Sequence, residues 1–257
     1  MMFNGKTCVI SGGTSGIGLA VAERMVREGA RVVILGRDGD KGRRVVEHLG
    51  PAAAFVACDV GDLASVEAAF DEIERRFEHF ELAVNNAGVT APYGPVAQIS
   101  AASWERVLRV NVSGPLYCMR RELQCIGRSP GGAIVNVSSC AGVVPIPNQA
   151  AYVASKAALN ALTQVAAMES ACDDGADSYA VRVNAVAPGP TYGGMNSPER
   201  LAANPERTRL KAASTAMKRF AEPEEIAGSV VYLLGGESSY VTGTILNVDG
   251  GYQAGKC

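Results

Sequence analysis

The chain has 257 residues, and its 24 Lys and Arg residues nearly balance 26 Asp and Glu residues. Without a basic block and with only 6% aromatic residues, it lacks the composition of a nucleic-acid binder, and its two histidines and seven scattered cysteines form no zinc-binding pattern. Because no apolar run is long enough to cross a membrane and the cysteines suit a reducing compartment, we expect a cytoplasmic protein with no metal site and no nucleic-acid or membrane partner.

A glycine-rich turn follows the first predicted strand. The apolar run 7–11 leads into Gly12-Gly-Thr-Ser-Gly-Ile-Gly18, and a helical pattern begins at Leu19 and continues to Glu28. Strand, glycine turn and helix is the arrangement of dinucleotide sites, because glycines let the backbone approach a pyrophosphate at the start of a helix. Alone, such a turn is a weak indication of a nucleotide.

The end of the second predicted strand bears on the choice of cofactor. Residues 31–35 form an apolar run typical of a buried parallel strand, and Gly36, Arg37 and Asp38 follow where the adenosine ribose would lie. An acidic residue at the first of these positions would indicate NAD(H), whereas Gly36 stands there and the guanidinium of Arg37 can pair with a 2′-phosphate. The sequence favours NADP(H), and NAD(H) stays possible because Asp38 comes next.

The alternation of strands and helices continues along the chain. The next elements are predicted at 39–49 (helix), 53–58 (strand), 62–79 (helix) and 81–84 (strand). This pattern predicts an α/β fold of the Rossmann type, a doubly wound parallel sheet with helices on both faces. Asp59 and Val60, and then Asn85-Asn-Ala-Gly88, follow strands and should lie at the ligand edge of the sheet. The second group is equally consistent with an ordinary turn.

Two polar residues stand out further along. Asn111 falls within a long helix predicted from about Ser100, and a mid-helix asparagine is usually solvated or bonded to something specific. Ser139 follows the predicted strand 133–137 and lies thirteen residues before Tyr152. A serine at a strand end and the first turn of the next helix can converge at one edge of the sheet, although a serine there is often only a cap.

Tyr152 and Lys156 are four residues apart on a predicted helix and therefore share a face. An ammonium group that stabilises the phenolate would let the tyrosine work as an acid or base near neutral pH. By itself, the pair is more often a packed tyrosine beside a solvated lysine.

Together these motifs resemble the short-chain dehydrogenase/reductase family, in its compact single-domain branch. The resemblance also includes Arg182-Val-Asn-Ala-Val-Ala-Pro-Gly189 and Val241-Thr-Gly-Thr-Ile-Leu-Asn-Val-Asp-Gly-Gly251, so it covers essentially the whole chain. It implies a single domain over 1–257 with a seven-stranded parallel sheet, assembled as a homotetramer or homodimer. It further implies reversible hydride transfer between a nicotinamide cofactor and a small carbonyl or alcohol substrate.

The resemblance assigns roles to individual residues. Tyr152 would be the general acid in reduction and the base in the reverse direction, while Lys156 would lower its pKa and bind the nicotinamide ribose. Ser139 would hydrogen-bond the substrate oxygen, and Asn111 would hold a water that links Lys156 to solvent. The predicted cofactor-binding residues are Ser11, Gly12, Thr14, Ser15, Gly16, Ile17, Gly18, Arg37, Asp59, Val60, Asn86, Ala87, Gly88, Tyr152, Lys156, Pro188, Gly189 and Thr191.

The chain departs from the family pattern at three places. Ser11 replaces a threonine at the head of the glycine motif but keeps a hydroxyl. After Pro188-Gly189 many relatives have a further threonine that meets the nicotinamide carboxamide. Here Thr191 is displaced by Pro190, which puts that contact in doubt. Residues 172–178 lengthen a connection that we expect to be a surface loop or an oligomer contact.

Substrate selectivity is expected in three segments, 90–96, 140–149 and 190–215, of which the last suits a mobile lid. Tyr93, Gln149, Tyr192 and Met195 are candidate lining residues. Four cations in or near the lid could attract an acidic substrate or simply form a solvated helical face, namely Arg200, Arg207, Arg209 and Lys211.

Two alternatives to a carbonyl reductase share this fold. An enoyl reductase of similar fold would space its tyrosine and lysine more widely than Tyr152 and Lys156. A cofactor-sensing regulatory protein could keep the fold and the cofactor site without turnover, because fold does not fix function.

Overall fold

Seven parallel strands form one sheet in the computed structural model, which describes residues 1–128, 130–172 and 179–255. The strands are β1 (Thr7–Ser11), β2 (Arg31–Gly36), β3 (Ala53–Ala57), β4 (Leu82–Asn85), β5 (Gly132–Val137), β6 (Val181–Pro188) and β7 (Ile245–Val248). Their order across the sheet is β3-β2-β1-β4-β5-β6-β7. The predicted seven-stranded doubly wound sheet is confirmed. The winding direction reverses between β1 and β4, which is where ligands bind in sheets of this type.

Nine α-helices lie in the described residues. They are α1 (Gly16–Arg27), α2 (Gly39–Leu49), α3 (Leu63–Phe77), α4 (Ala101–Leu108), α5 (Gly114–Ile126), α6 (Ala150–Ser170), α7 (Pro198–Ala202), α8 (Pro205–Ala213) and α9 (Pro223–Leu234). The first helix begins three residues before the predicted Leu19, because the last glycines of the turn form its first turn. None of these helices is long and apolar enough to cross a membrane.

The helix predicted from about Ser100 is interrupted. A π-helical turn at Arg109–Ser113 separates α4 from α5, and Asn111 lies in it. Single π-helical turns insert one residue into a helix and are often found at functional sites.

Apolar residues of the strands alternate between two cores. In β1, Cys8 and Ile10 pack in the core beside α1 and α9, whereas Val9 packs in the core beside α3, α5 and the later part of α6. Because both faces of the sheet are covered, most strand positions are apolar on both faces, as the continuous runs in the sequence indicated. The lengthened connection predicted at 172–178 lies outside the described residues from 173 onward.

A buried carboxyl group lies in the core of the sheet. The side-chain amide of Asn85 donates to Glu122 Oε2 (2.8 Å) and to Asn136 Oδ1 (3.1 Å). Burial raises the pKa of Glu122 to about 8, so the carboxyl is mostly protonated at neutral pH. Asn85 Oδ1 is buried and receives no hydrogen bond from the described residues, and the proton of a neutral carboxyl can supply one.

Candidate active site

A cleft of about 910 Å³ runs along the carboxyl ends of the strands, from the glycine turn to Tyr152. It is lined by sixteen of the eighteen predicted cofactor-binding residues, namely Gly12, Thr14, Ser15, Gly16, Ile17, Arg37, Asp59, Val60, Asn86, Ala87, Gly88, Tyr152, Lys156, Pro188, Gly189 and Thr191. Ser11 and Gly18 do not line it. The structure therefore brings together, at one edge of the sheet, residues that are up to 179 positions apart in sequence.

The glycine turn fits a pyrophosphate group. Gly12 and Gly16 have φ angles of +66° and +55°, which glycine adopts without strain. A Cβ on Gly18 would lie 2.4 Å from the carbonyl oxygen of Gly12, so this glycine allows the turn to close tightly on the start of α1. Ser15 precedes α1 and does not cap it with its side chain. The first N–H groups of the helix can thus serve an anion.

Ser11 and Asn86 hold the glycine turn in place. Ser11 Oγ accepts hydrogen bonds from the backbone N–H groups of Asn86 (3.1 Å) and Ala87 (3.2 Å). The side-chain amide of Asn86 donates to the carbonyl oxygens of Gly12 (2.9 Å) and Ser11 (3.2 Å). The Ser11 hydroxyl is therefore bonded to the end of β4 behind the cleft, and its contact with the cofactor stays a prediction.

Two cations lie at the end of the cleft beside β2. Asp38 caps α2 by accepting from the backbone N–H of Lys41 (3.0 Å), and its carboxylate lies 3.4 Å from Lys41 Nζ. These contacts, the backbone hydrogen bond first, hold the pKa of Asp38 below its ordinary value. Arg37 and Lys41 both line the cleft, and Arg37 lies 4.0 Å from Asp59. The sequence analysis missed Lys41, although a basic residue in the first turn of the helix after β2 was a readable signal.

Ser139 and Tyr152 meet where the cleft deepens. Ser139 follows β5 and caps a short 3-10 turn by accepting from the N–H of Ala141 (3.1 Å). Tyr152 lies in the first turn of α6 and is half-buried. Burial raises the pKa of Tyr152 to about 12, and a hydrogen bond with Ser139 opposes that rise. The phenol therefore carries its proton throughout the neutral range.

Lys156 is buried one helical turn further along the same face. Its ammonium donates to the carbonyl oxygen of Val137 (2.7 Å) and lies 5.9 Å from the centre of the Tyr152 ring. Burial lowers the pKa of Lys156 to about 8. In this structure the loss of hydration has the largest effect on the pKa of both residues, and the ammonium binds Val137 without contacting the phenol. That Lys156 lowers the pKa of Tyr152 stays a prediction.

Asn111 is fully buried and fastens two segments of the site. Its amide nitrogen donates to the carbonyl oxygen of Val89 (2.8 Å) and to Ser155 Oγ (3.0 Å), while its oxygen accepts from the N–H of Val89 (2.8 Å). Both polar atoms of the side chain are thus used by the loop after β4 and by α6. The role predicted for Asn111, holding a water, stays a prediction, for which its main-chain carbonyl and the second lone pair of Oδ1 are the acceptors.

The segment after β6 lines the cleft. Gly189 packs so closely on the chain after β7 that an added Cβ would lie 2.7 Å from the carbonyl oxygen of Asp249. Thr191 is buried and lines the cleft, but its hydroxyl donates to the carbonyl oxygen of Gly189 (3.0 Å). In this arrangement the proton of the Thr191 hydroxyl is used in a hydrogen bond to the backbone.

A second cavity of about 480 Å³ adjoins the cleft and shares Ser139 and Tyr152 with it. Three of the predicted substrate-lining residues line this cavity, namely Tyr93, Gln149 and Met195. Tyr192 lines the larger cleft instead and stacks on Phe220, with ring centres 5.0 Å apart. The segment 190–215 forms the outer wall of the cavity through α7 and α8. Of the four cations noted in the sequence, Arg209 alone does not line it.

Comparison with known proteins extends over nearly the whole chain. A family model described as enoyl-(acyl carrier protein) reductase matches residues 12–253. A 3beta-hydroxysteroid dehydrogenase from Mediterraneibacter gnavus is 35% identical, over 97% of this chain and 95% of that protein. A cis-4-hydroxycyclohexanecarboxylate dehydrogenase from Sinomonas cyclohexanicum is 36% identical, over 98% of both proteins. An NADP-dependent (R)-specific alcohol dehydrogenase from Lentilactobacillus kefiri is 37% identical, over 97% of both proteins.

A solved structure shows the same similarity in three dimensions. It is a short chain dehydrogenase/reductase family protein with a TM-score of 0.84 and 37% sequence identity. The match covers 98% of this chain and 100% of that one.

Proposed function

The chain belongs to the short-chain dehydrogenase/reductase family, and we propose that it interconverts a carbonyl and a secondary alcohol on a small organic molecule by hydride transfer with NADP(H). The observation that carries this proposal is the position of Ser139 and Tyr152, which line both the large cleft and the smaller cavity. A cofactor in the cleft and a substrate in the cavity would meet at these two hydroxyl groups.

The side chains can be given roles in reduction. The bound nicotinamide cofactor would supply the hydride. Tyr152 is protonated at neutral pH and donates its proton to the carbonyl oxygen as that oxygen gains negative charge. Ser139 donates a hydrogen bond to the same oxygen and thereby stabilises the charge and fixes the direction of the carbonyl. Lys156, held by Val137, binds the ribose hydroxyls from the floor of the cleft.

The preference for NADP(H) rests on the charges at the end of β2. Gly36 provides no carboxylate there, Asp38 is used in capping α2, and Arg37 and Lys41 line the cleft. Two cations favour a 2′-phosphate over a 2′-hydroxyl. The relative from Lentilactobacillus kefiri is NADP-dependent by name, which is consistent with this preference.

Three further features are proposed with the function. The chain forms one catalytic domain over 1–257, with 190–215 as a lid that closes over the substrate. It assembles as a homotetramer or homodimer, which light scattering coupled to size-exclusion chromatography would determine.

Steady-state oxidation of NADPH and NADH, measured separately against a panel of ketones, aldehydes and quinones, tests the proposal. Turnover with preference for NADPH supports both the reaction and the cofactor assignment. Preference for NADH would mean that Arg37 and Lys41 do not govern the ribose site. Binding of both cofactors without turnover of any compound would favour a cofactor-sensing protein.

A further inference from the structure

Three cations line the small cavity beside Ser139 and Tyr152. Arg207 and Lys211 lie four residues apart on α8, so they share one face of that helix. Both are half-buried and line the small cavity without lining the cofactor cleft, whereas Arg200 lines both. The positive charge of Arg207 and Lys211 is therefore directed at the substrate side and not at the cofactor phosphates.

These two cations have no acidic partner within 4.0 Å in the part of the chain that the structure describes. The guanidinium of Arg207 lies over the ring of Tyr93, and its Nη2 is buried without a hydrogen-bond acceptor among the described residues. Lys211 Nζ donates to Asn196 Oδ1 (2.9 Å), which is a neutral acceptor.

Burial without a counter-ion is unfavourable for both side chains. It lowers the pKa of Arg207 and that of Lys211, and the neighbouring charge of Arg207 lowers the latter further. Two neighbouring positive charges that are partly removed from water destabilise the fold unless an anion binds between them. A solvated helical face, the other interpretation of these residues, does not place a guanidinium nitrogen out of reach of water.

More than half of the other residues that line the cavity are apolar, among them Ile146, Pro190, Leu201 and Leu210, and hydroxyl and amide side chains lie between them. A ligand that matches this wall has a carbonyl or hydroxyl at one end, an apolar spacer and an anionic group at the other end.

We propose that the substrate is a keto acid or the corresponding hydroxy acid, whose carboxylate is bound by Arg207 and Lys211 while its carbonyl faces Ser139 and Tyr152. This inference rests on the proposed function, because it names the substrate class of the same site. A guanidinium binds a carboxylate through two parallel hydrogen bonds, and the ammonium one turn away adds a second charge. The two cations are determinants of substrate specificity and take no part in hydride transfer.

The test compares keto acids with their methyl esters, from 4-oxopentanoate to 7-oxooctanoate, in NADPH oxidation. We expect the wild type to prefer at least one acid over its ester by roughly tenfold or more in kcat/KM. R207M and K211M keep the aliphatic stems but remove the charges. Each should lower kcat/KM for that acid by roughly tenfold to hundredfold, mainly through KM, and change the ester by less than about threefold.

R209M is the matched control, because it removes one positive charge from the same helix at an exposed position outside the cavity. It should leave the ratio of acid to ester unchanged. The advantage of the acid in the wild type should also shrink as NaCl is raised, which needs no variant and thus does not depend on how well R207M folds.

The inference and the proposed function fail in different ways. Equal kcat/KM for acids and esters, with no change in R207M, would overturn the anionic substrate and leave the reductase intact. If the wild type turns over neither acids nor esters, calorimetric titration with 4-oxopentanoate decides the inference separately. Binding that is lost in R207M and kept in R209M would support it, and binding that is absent or equal in all three proteins would overturn it.

Discussion

The ammonium group of Lys156 donates a 2.7 Å hydrogen bond to the carbonyl oxygen of Val137, the last residue of β5. This bond fixes the cation between α6 and the edge of the sheet, close to Gly88, where an added Cβ would lie 3.7 Å from the lysine nitrogen. Because the site is buried, Lys156 loses its charge near pH 8 and not near its ordinary pKa of 10.5.

The charge on Lys156 predicts a pH limit for the reaction. Tyr152 keeps its proton up to about pH 12, so it does not limit reduction from the alkaline side near neutrality. Lys156 is protonated below about pH 8 and neutral above it, so kcat/KM should be constant below that pH and fall above it. In K156R the guanidinium stays protonated, and any remaining activity should lack this limit. Profiles of kcat/KM from pH 6 to 10 for the wild type and K156R test this prediction. If kcat/KM falls at the same pH in the two proteins, a group other than Lys156 sets the limit.

The cofactor preference should depend on Arg37. R37A should raise KM for NADPH by roughly tenfold to hundredfold and leave KM for NADH nearly unchanged, because only the 2′-phosphate loses a charged partner. R44A is a suitable control, since Arg44 is exposed on α2 and does not line the cleft. Equal effects of R37A on both cofactors would show that the guanidinium does not bind the 2′-phosphate.

A carboxylate at position 36 should reverse the preference. A Cβ on Gly36 would meet its nearest neighbour, Thr14 Cγ2, at 3.4 Å, which is ordinary contact. Aspartate therefore fits there, where it can accept from a 2′-hydroxyl and repel a 2′-phosphate. The ratio of kcat/KM for NADH to that for NADPH should rise by at least about a hundredfold in G36D, and an unchanged ratio would place the ribose elsewhere.

Ser139 should affect kcat more than KM. Its hydroxyl is placed to donate to the oxygen that becomes negative, so S139A should lower kcat by roughly tenfold to a thousandfold while cofactor affinity is kept. Steady-state kinetics together with fluorescence titration of NADPH would measure the two effects. Normal kcat in S139A would mean that Ser139 only caps the turn in which it lies.

The buried Glu122 predicts a change of stability with pH. Its pKa is about 8 in the folded chain against an ordinary value of 4.5, so the unfolded chain loses the proton first as pH rises. The free energy of unfolding should therefore fall as the pH rises from about 4.5 to about 8, by up to a few kcal/mol. In E122Q the new side-chain amide can accept from Asn85 Nδ2 and donate to Asn85 Oδ1, and it does not titrate. Urea unfolding from pH 5 to 8.5 should show a flatter dependence in E122Q, and identical slopes would contradict a neutral Glu122.

The sequence predicted the sheet and most of the cleft because both follow from local patterns. Continuous apolar runs indicate buried parallel strands, and the carboxyl ends of such strands must meet at one edge. The hydrogen bonds of Ser11, Asn86 and Asn111 could not be predicted from local patterns. A short polar side chain bonds whichever backbone group the fold brings near. For Asn111 that group belongs to Val89, 22 residues earlier.

The cations of α8 illustrate the same limit. Charge counting treated Arg207, Arg209 and Lys211 alike, whereas the helix places the first and last at the cavity and the middle one in solvent. Helical spacing predicts which residues share a face, but only the packing of α8 beside Tyr93 decides which face meets the cavity.

The most direct test compares wild type and Y152F for NADPH binding by fluorescence and for NADPH oxidation with the best ketone of the panel. A general acid contributes roughly a hundredfold to ten-thousandfold to the rate. If Tyr152 is that acid, Y152F should bind NADPH as the wild type does and lose turnover by at least a hundredfold. Undiminished turnover in Y152F would contradict the proposed mechanism, and equal binding with no turnover in either protein would indicate a cofactor sensor.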